Sequence, residues 1–306
     1  FQEACQRLGS IDLVPTSKKA ASRQPPSSLA PAAAWQDLAL EVVRTCQAVL
    51  CSDVGARARA WLKQRGISSE TSRRWCLGFN PNDQKLCGLW VPRGIVIPCL
   101  VAGRIWYMKI RRANAQTRYS QVSGGQIALF GADTIANYDT VAVTEGEFDA
   151  MLLHQEAGDL IGVVTLGSAA ARLPDAWVPY LLDVQKLLVA YDTDAAGAEG
   201  AARWESLCPH AQRIVPLAGK DVTDFYLAGG DLRAWLQFAL AADAEPTGAS
   251  VEARVSLSPA PWAGQRVRIE DLPDLQAKYG LPVVGGDPDL CREPCRPKLY
   301  FVESRP

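Results

Sequence analysis

Short apolar runs alternate with longer amphipathic segments over residues 140–240 of this 306-residue chain. The runs at 140–144 and 186–191 each predict a buried strand, and each is followed by a predicted helix, at about 147–157 and 195–207. The other predicted elements are a strand at 160–165, a helix near 175–183, a strand at 212–217 and a helix at 232–240. This alternation predicts an α/β fold with a mostly parallel sheet and flanking helices.

Carboxylates follow both of the strongest strand predictions. Glu145 and Asp149 come after the first strand, and Asp192 and Asp194 come after the second. Because the carboxyl ends of parallel strands line one crevice, the two clusters are expected to meet there. An Asp before a helix is often only a cap. Two clusters at two strand ends favour a site for a hard divalent cation, and therefore phosphoryl-transfer chemistry.

A third acidic pair, Asp221 and Asp224, follows the predicted strand 212–217. It precedes the turn at Gly229-Gly230 and the last helix of the repeat. This position places the pair near the same crevice.

The three acidic clusters together resemble a Toprim domain, with the motifs Glu145-Gly146-x-x-Asp149-Ala150, Asp192-x-Asp194-x-x-Gly197 and Lys220-Asp221-x-x-Asp224. Upstream segments resemble the catalytic core of bacterial-type DNA primases, especially the phage and plasmid forms. These segments are Trp61-Leu62-x-x-Arg65-Gly66-Ile67, Leu77-Gly78-Phe79-Asn80-Pro81, Gly94-Ile95-Val96-Ile97-Pro98, Arg118-Tyr119 and Leu129-Phe130-Gly131. The resemblance covers about residues 35–240.

The resemblance implies roles for individual acids. It implies a catalytic set of Glu145, Asp149, Asp192, Asp194 and Asp221, and Mg²⁺ or Mn²⁺ as the cofactor. All of these except Asp149 are expected to be metal ligands, and Asp149 is expected to support them. Glu147 is not a motif position and is expected to lie on a solvated helix face. The sequence leaves open whether Asp224 is a ligand or a structural cap.

A basic segment lies between the helical start of the core and the acidic clusters. No Asp or Glu occurs between Gln84 and Ala132, whereas seven cations do: Lys85, Arg93, Arg104, Lys109, Arg111, Arg112 and Arg118. Such a segment can hold template phosphates and the triphosphate of an incoming nucleotide. A solvated face explains any single Arg equally well. As a group, the predicted nucleic-acid and nucleotide contacts are Lys109, Arg111, Arg112, Arg118 and Tyr119.

The region 61–74 reads as two short helices with cations among the apolar positions. Amphipathic helices have this pattern whatever they bind. A helical lid or packing element is favoured over a primary nucleic-acid surface.

Composition adds few constraints. The net charge is −1, and 48% of the residues are hydrophobic, enough for one or two ordinary cores. No apolar run reaches the length of a membrane span and no signal peptide is evident, so a cytoplasmic protein without a membrane partner is expected. The nine cysteines are scattered and are expected to be reduced; the spacing of Cys291 and Cys295 is weak evidence for zinc.

The expected organisation has four parts. Residues 1–34 resemble the end of a zinc-ribbon domain followed by a linker, so any zinc is expected in an upstream module. Residues 35–138 form the basic subdomain of the core and 139–240 the metal-binding Toprim domain. Residues 241–306 are a linker and a tail without a readable motif, with strand-like segments at 265–269 and 299–302.

These patterns predict a DNA-dependent primase that makes short RNA primers from nucleoside triphosphates on single-stranded DNA during replication. The expected reaction is a two-metal nucleotidyl transfer within a primosome, with a replicative helicase, fused or separate, as partner. One alternative is a Toprim nuclease or a topoisomerase-like strand-cleaving enzyme. Another is a non-catalytic module that binds nucleic acid and loads a helicase.

Overall fold

The computed structural model of the protein describes Pro26, residues 29–113, 115–181 and 184–241, and two short strands further on. The chain divides into two compact units, Phe1–Ala244 and Glu245–Pro306. In the second unit the described residues are β11 (Arg266–Val267) and β12 (Tyr300–Phe301), which pair antiparallel. Most of the expected zinc-ribbon remnant, and both Cys291 and Cys295, lie outside the described residues.

Three helices and an antiparallel sheet form the first part of the larger unit. The helices are α1 (Ala33–Cys51), α2 (Ala56–Gln64) and α3 (Ser69–Arg74). The sheet has the order β1-β4-β5-β6, with strands β1 (Gly78–Asn80), β4 (Gly94–Val101), β5 (Arg104–Arg111) and β6 (Tyr119–Gln121). A separate hairpin pairs β2 (Gln84–Leu86) with β3 (Leu89–Val91).

Helix α1 packs on the antiparallel sheet through one apolar stripe. Trp35, Ala39, Val42 and Cys46 recur at helical spacing and are buried. They join Val96, Ile105, Met108 and Ile110 of the sheet, among others, in one hydrophobic cluster. This spacing of three and four residues places all of them on the same helix face.

The second part of the larger unit is a parallel sheet of order β10-β9-β7-β8. Its strands are β7 (Thr140–Thr144), β8 (Gly162–Thr165), β9 (Lys186–Ala190) and β10 (Ala211–Arg213), and its helices are α4 (Glu147–Ala157), α5 (Ala195–Leu207), α6 (Val222–Leu227) and α7 (Leu232–Ala241). Strands β7 and β9 are near-continuous apolar runs, as expected for strands covered on both faces. The predicted α/β fold with a parallel sheet is therefore confirmed.

Two predicted elements of this part differ from the structure. The predicted strand 212–217 is only Ala211–Arg213. The Ile214 amide still donates to the Val189 carbonyl at 3.0 Å, but the chain then leaves the sheet before Pro216, which has no N–H to donate. The predicted helix near 175–183 is a 3₁₀ helix, Asp175–Tyr180, and it contains Pro179. Proline favours a short, irregular turn over a continuous α-helix.

The two parts share one hydrophobic core. Ile97, Trp106 and Tyr107 of the antiparallel sheet belong to the same buried cluster as the strands and helices of the parallel sheet. The ring of Trp106 packs edge-on against Trp177, with centroids 4.9 Å apart. The division expected at residues 138–139 stays a prediction. No helix among the described residues is long and apolar enough to cross a membrane.

Candidate metal centre and basic flank

The acidic site lies at the carboxyl ends of the two central parallel strands. Strands β7 and β9 are direct neighbours, and Thr144 at the end of β7 pairs with Ala190 at the end of β9. Glu145 and Asp192 follow these two residues closely. Their side chains therefore meet at the same edge of the sheet, although they are 47 positions apart in the sequence.

Three carboxylates converge at this edge. Asp149, Asp192 and Asp221 each offer one oxygen, and these three oxygens lie within 4.8 Å of one another. Asp149 comes from the first turn of α4, Asp192 from the loop after β9, and Asp221 from the N-cap of α6. Hard oxygen donors in such a group are the ligands that Mg²⁺ and Mn²⁺ prefer.

The charges of this group repel one another in a partly buried place. Burial raises the pKa of Asp149 to about 7, and repulsion from Asp221 adds to the shift, whereas the hydrogen bond from Thr223 opposes it. The Thr223 hydroxyl donates to Oδ1 of Asp149 at 2.6 Å. Burial also raises the pKa of Asp221. A cation bound among these carboxylates would remove the repulsion.

Glu145 lies beside the group and fits the same interpretation. Burial raises the pKa of Glu145, and the charges of Asp192 and Asp194 add to the effect. Its Oε2 atom is buried and has no hydrogen-bond partner among the described residues. A buried carboxylate oxygen without a donor is costly. The donor set of this edge therefore fits a divalent cation.

Lys220 and Asp194 form the rim of the site. The Lys220 ammonium lies 2.8 Å from Oδ2 of Asp192 and 3.1 Å from Oδ2 of Asp194, and these hydrogen bonds raise its pKa. Asp194 also caps α5 by accepting the Gly197 amide at 2.9 Å, which lowers the pKa of Asp194. Gly197 is required here because a Cβ atom would lie 2.1 Å from the Asp192 carbonyl oxygen.

The structure thus separates the predicted acids into two sets. Asp149, Asp192 and Asp221 form the close group, while Glu145 and Asp194 flank it. Asp149, expected only to support the ligands, is a member of the close group. Asp224 is outside it and accepts the Lys220 amide at 3.2 Å, an arrangement typical of a structural turn.

The basic strand β5 faces this edge with two cations in very different surroundings. Lys109 forms an ion pair with Glu147, with its Nζ 2.9 Å from Oε2. Arg111 lies between two rings, 5.5 Å from the centroid of Trp61 and 5.3 Å from that of Tyr119. The expectation for Glu147 was wrong. Its side chain is 2% exposed, and the ion pair with Lys109 offsets part of the cost of burying its charge.

Arg112 and Arg118 lie at the loop end of the hairpin, directly after β5 and directly before β6. The Arg112 amide donates to the Arg118 carbonyl at 2.8 Å, which closes the two strands. The Arg112 guanidinium is 3.9 Å from Asp83, a loose contact, and Arg118 is exposed. Both cations are accessible to a polyanion.

Arg65 also belongs to this site, although it is not among the site residues predicted from the sequence. It follows α2, and its guanidinium lies 5.6 Å from the Trp61 ring. Its charge lowers the pKa of Asp149 and Asp221, although in both acids burial has the larger, opposite effect. Its Nε is buried and unpartnered among the described residues. The region around Trp61 and Arg65 therefore packs beside the acids instead of forming a remote helical surface.

Comparisons with known proteins agree with this geometry. Residues 142–226 match a protein-family model described as Toprim-like, and this span contains Asp149, Asp192 and Asp221. The expected resemblance to a Toprim domain is confirmed.

The larger unit also has the fold of bacterial primase catalytic cores. The RNA polymerase domain of Mycobacterium tuberculosis primase DnaG matches with a TM-score of 0.56 and 19% identity, over 68% of this chain and 86% of that one. The Escherichia coli primase catalytic core matches with a TM-score of 0.54 and 19% identity, over 67% and 80%. A DnaG primase catalytic domain solved bound to single-stranded DNA matches with a TM-score of 0.53 and 19% identity, over 67% and 84%.

Proposed function

We propose that this protein is a DNA-dependent primase, an enzyme that joins nucleoside triphosphates into short RNA primers on single-stranded DNA. The observation that carries the proposal is the convergence of Asp149, Asp192 and Asp221 at the carboxyl edge of a parallel sheet, beside a cationic strand. The fold shared with DnaG catalytic cores supports it. So does the DnaG domain solved with single-stranded DNA.

The acids are assigned to divalent metal binding. Asp149, Asp192 and Asp221 would hold a Mg²⁺ or Mn²⁺ ion, and Glu145 and Asp194 would contribute ligands to a second ion. When bound, such ions lower the pKa of an attacking 3′-hydroxyl and offset the charge of the transferring phosphoryl group. We assign Lys220 to the neutralisation of Asp192 and Asp194 at the rim, where it already pairs with both.

The basic flank is assigned to the two polyanions of the reaction. The Arg111 guanidinium lies 5.3 Å from the Tyr119 ring, and a guanidinium and an aromatic ring can contact a phosphate and a base. Arg112 and Arg118 extend the positive surface outwards. We propose that these residues contact the template strand or the triphosphate of the incoming nucleotide. We also propose a replicative helicase as a partner, and only the fold shared with primase catalytic cores supports this part of the proposal.

Primer synthesis on single-stranded DNA tests the proposal directly. Labelled nucleoside triphosphates, Mg²⁺ or Mn²⁺ and a template are incubated with the wild type and with Asp192→Asn, which keeps the shape of the side chain and loses its charge. We expect short labelled products from the wild type and at least about 100-fold less from the variant, because several kcal/mol of charge stabilisation is lost.

The same reaction separates the alternatives. Metal-dependent cleavage of the labelled template without synthesis would identify a strand-cleaving enzyme. Binding of the template without either reaction, in every metal tried, would identify a non-catalytic module.

A further inference from the structure

Glu147 and Lys109 form a shielded ion pair next to the acidic site. Glu147 is 2% exposed and Lys109 17%. The Lys109 Nζ lies 2.9 Å from each carboxylate oxygen of Glu147, and the Tyr107 hydroxyl donates to Oε1 of Glu147 at 3.3 Å. Removing one member would leave the other charged and buried, which is strongly unfavourable.

Lys109 has a third partner that links it to a neighbouring loop. Its Nζ donates to the Gly167 carbonyl at 2.7 Å, just after β8. An ammonium group has three N–H donors. The two Glu147 oxygens and the Gly167 carbonyl account for all three, so no donor of Lys109 is left for a phosphate.

Hydrogen bonds continue from Gly167 to the backbone of Glu145. The Gly167 amide donates to the Thr165 hydroxyl at 2.8 Å, and that hydroxyl donates to the Glu145 carbonyl at 3.0 Å. Glu147 itself is two residues beyond Glu145 in the chain. The segment that carries Glu145 is thus held from two sides, by Thr165 and by the ion pair.

The Gly167 loop is fitted closely around the pair. Gly167 has a φ of +76°, and a Cβ atom there would lie 2.4 Å from Oε1 of Glu147 and 2.7 Å from Nζ of Lys109. Only glycine satisfies both the backbone conformation and this contact.

We propose that Lys109 and Glu147 are a positioning pair that holds the Glu145 segment for metal binding, and that Lys109 does not contact substrate phosphate. This inference rests on the proposed metal-dependent function and replaces the expectation that Lys109 binds nucleic acid or nucleotide. The pair acts as a unit, because each member satisfies the other and Lys109 also fixes Gly167.

Two conservative variants and their combination test the proposal. Glu147→Gln and Lys109→Gln each leave one buried charge unpaired, whereas the double variant leaves a neutral pair and is expected to fold. Asp159→Asn is the matched control, because it breaks the Asp159–Arg233 pair at the opposite end of α4. Thermal unfolding of each variant confirms that it is folded before any activity is compared.

The kinetic readout separates positioning from substrate contact. We expect each single variant to lower kcat by about 10- to 100-fold, because small misplacements of a reacting group have effects of this size. The KM for nucleoside triphosphate should stay within about threefold of the wild-type value. The double variant should be no slower than either single variant, as expected for residues in one coupled network. A Lys109→Gln variant with a raised KM and an unchanged kcat, beside a wild-type-like Glu147→Gln, would overturn the inference.

Metal affinity gives a second readout that does not depend on catalysis. Mn²⁺ binding, followed by electron paramagnetic resonance, should weaken by about tenfold in Glu147→Gln, the size found for residues that orient metal ligands. Unchanged Mn²⁺ affinity in this variant would overturn the positioning role while leaving the proposed function intact. If the wild type binds Mn²⁺ but makes no primers, the proposed function fails on its own, and the Mn²⁺ comparison still decides the role of the pair. If the wild type does not bind Mn²⁺, both fail.

Discussion

From the raised pKa of Asp149 we predict how the free energy of unfolding depends on pH and on bound metal. Burial and repulsion from Asp221 raise the pKa of Asp149 to about 7 from its ordinary 3.8. The change to make is Asp149→Asn, which removes the charge. The Asn side-chain oxygen still accepts from the Thr223 amide and hydroxyl, the two donors that now hold Oδ1 of Asp149. The fold should therefore be retained.

The sign and size of the effect follow from the shift. A carboxyl group whose folded-state pKa is raised contributes stability that is fully present below its unfolded pKa and is lost as the pH rises through about 7. Between pH 5 and pH 8 this single group should lower the free energy of unfolding of the wild type by about 2–3 kcal/mol. For a unit of this size, that corresponds to a fall in Tm of roughly 4–12 °C.

The assay is thermal unfolding in EDTA, followed by circular dichroism, from pH 5 to pH 8. Asp149→Asn should lose this part of the pH dependence and should be more stable than the wild type at pH 8. Adding Mg²⁺ should stabilise the wild type and leave the variant nearly unchanged. Asp159→Asn is the control. The hydrogen bond from Arg233 lowers the pKa of Asp159, so this acid does not titrate in the same window. Parallel stability profiles for the wild type and Asp149→Asn would refute the reasoning.

Three further predictions address the remaining parts of the site. Glu145→Gln should lower the initial rate of primer synthesis at least about 100-fold while Tm changes little, since the side chain keeps its shape and loses its charge; a wild-type rate at saturating nucleotide and Mg²⁺ would remove Glu145 from the metal site. Arg65→Gln should move the pH midpoint of Mn²⁺ binding upwards, because the charge of Arg65 lowers the pKa of Asp149 and Asp221. An unchanged midpoint would show that Arg65 does not act on these acids. Replacing Arg111, Arg112 and Arg118 together by Ala should reduce the slope of log affinity for single-stranded DNA against log salt by up to about 2, at about 0.7 per lost phosphate contact. An unchanged slope would show that this surface faces away from the strand.

The acids were predictable from the sequence because the geometry of a parallel sheet is regular. Once 140–144 and 186–191 are recognised as strands, their carboxyl ends must lie at one edge, and Asp192 must lie near the residues after β7. The membership of Asp149 in the close group was harder to predict. It depends on the orientation of the first turn of α4, which brings the Asp149 side chain to the Thr223 amide of α6.

The ion pair could not be read from the sequence. Lys109 and Glu147 are 38 positions apart. Lys109 lies on β5 of the antiparallel sheet, whereas Glu147 begins α4 beside the parallel sheet, so no local sequence pattern connects them. A Glu in the first turn of a helix is usually solvated and favoured by the helix dipole. Burial of this one depends on the approach of β5 and of the Gly167 loop, which are tertiary features. Arg65 is a second example. Its motif could be recognised in the sequence, but its proximity to Asp149 and Asp221 could not.

The central claim is that Asp149, Asp192 and Asp221 hold a catalytic divalent cation. Crystals of the protein soaked with Mn²⁺ and a nucleoside triphosphate test it most directly, through an anomalous difference map recorded near the manganese absorption edge. We expect a peak at the edge of the parallel sheet with oxygens of these carboxylates about 2.0–2.3 Å away, and no such peak in crystals of Asp192→Asn. A map with Mn²⁺ bound elsewhere on the protein and no peak among the three carboxylates would contradict it.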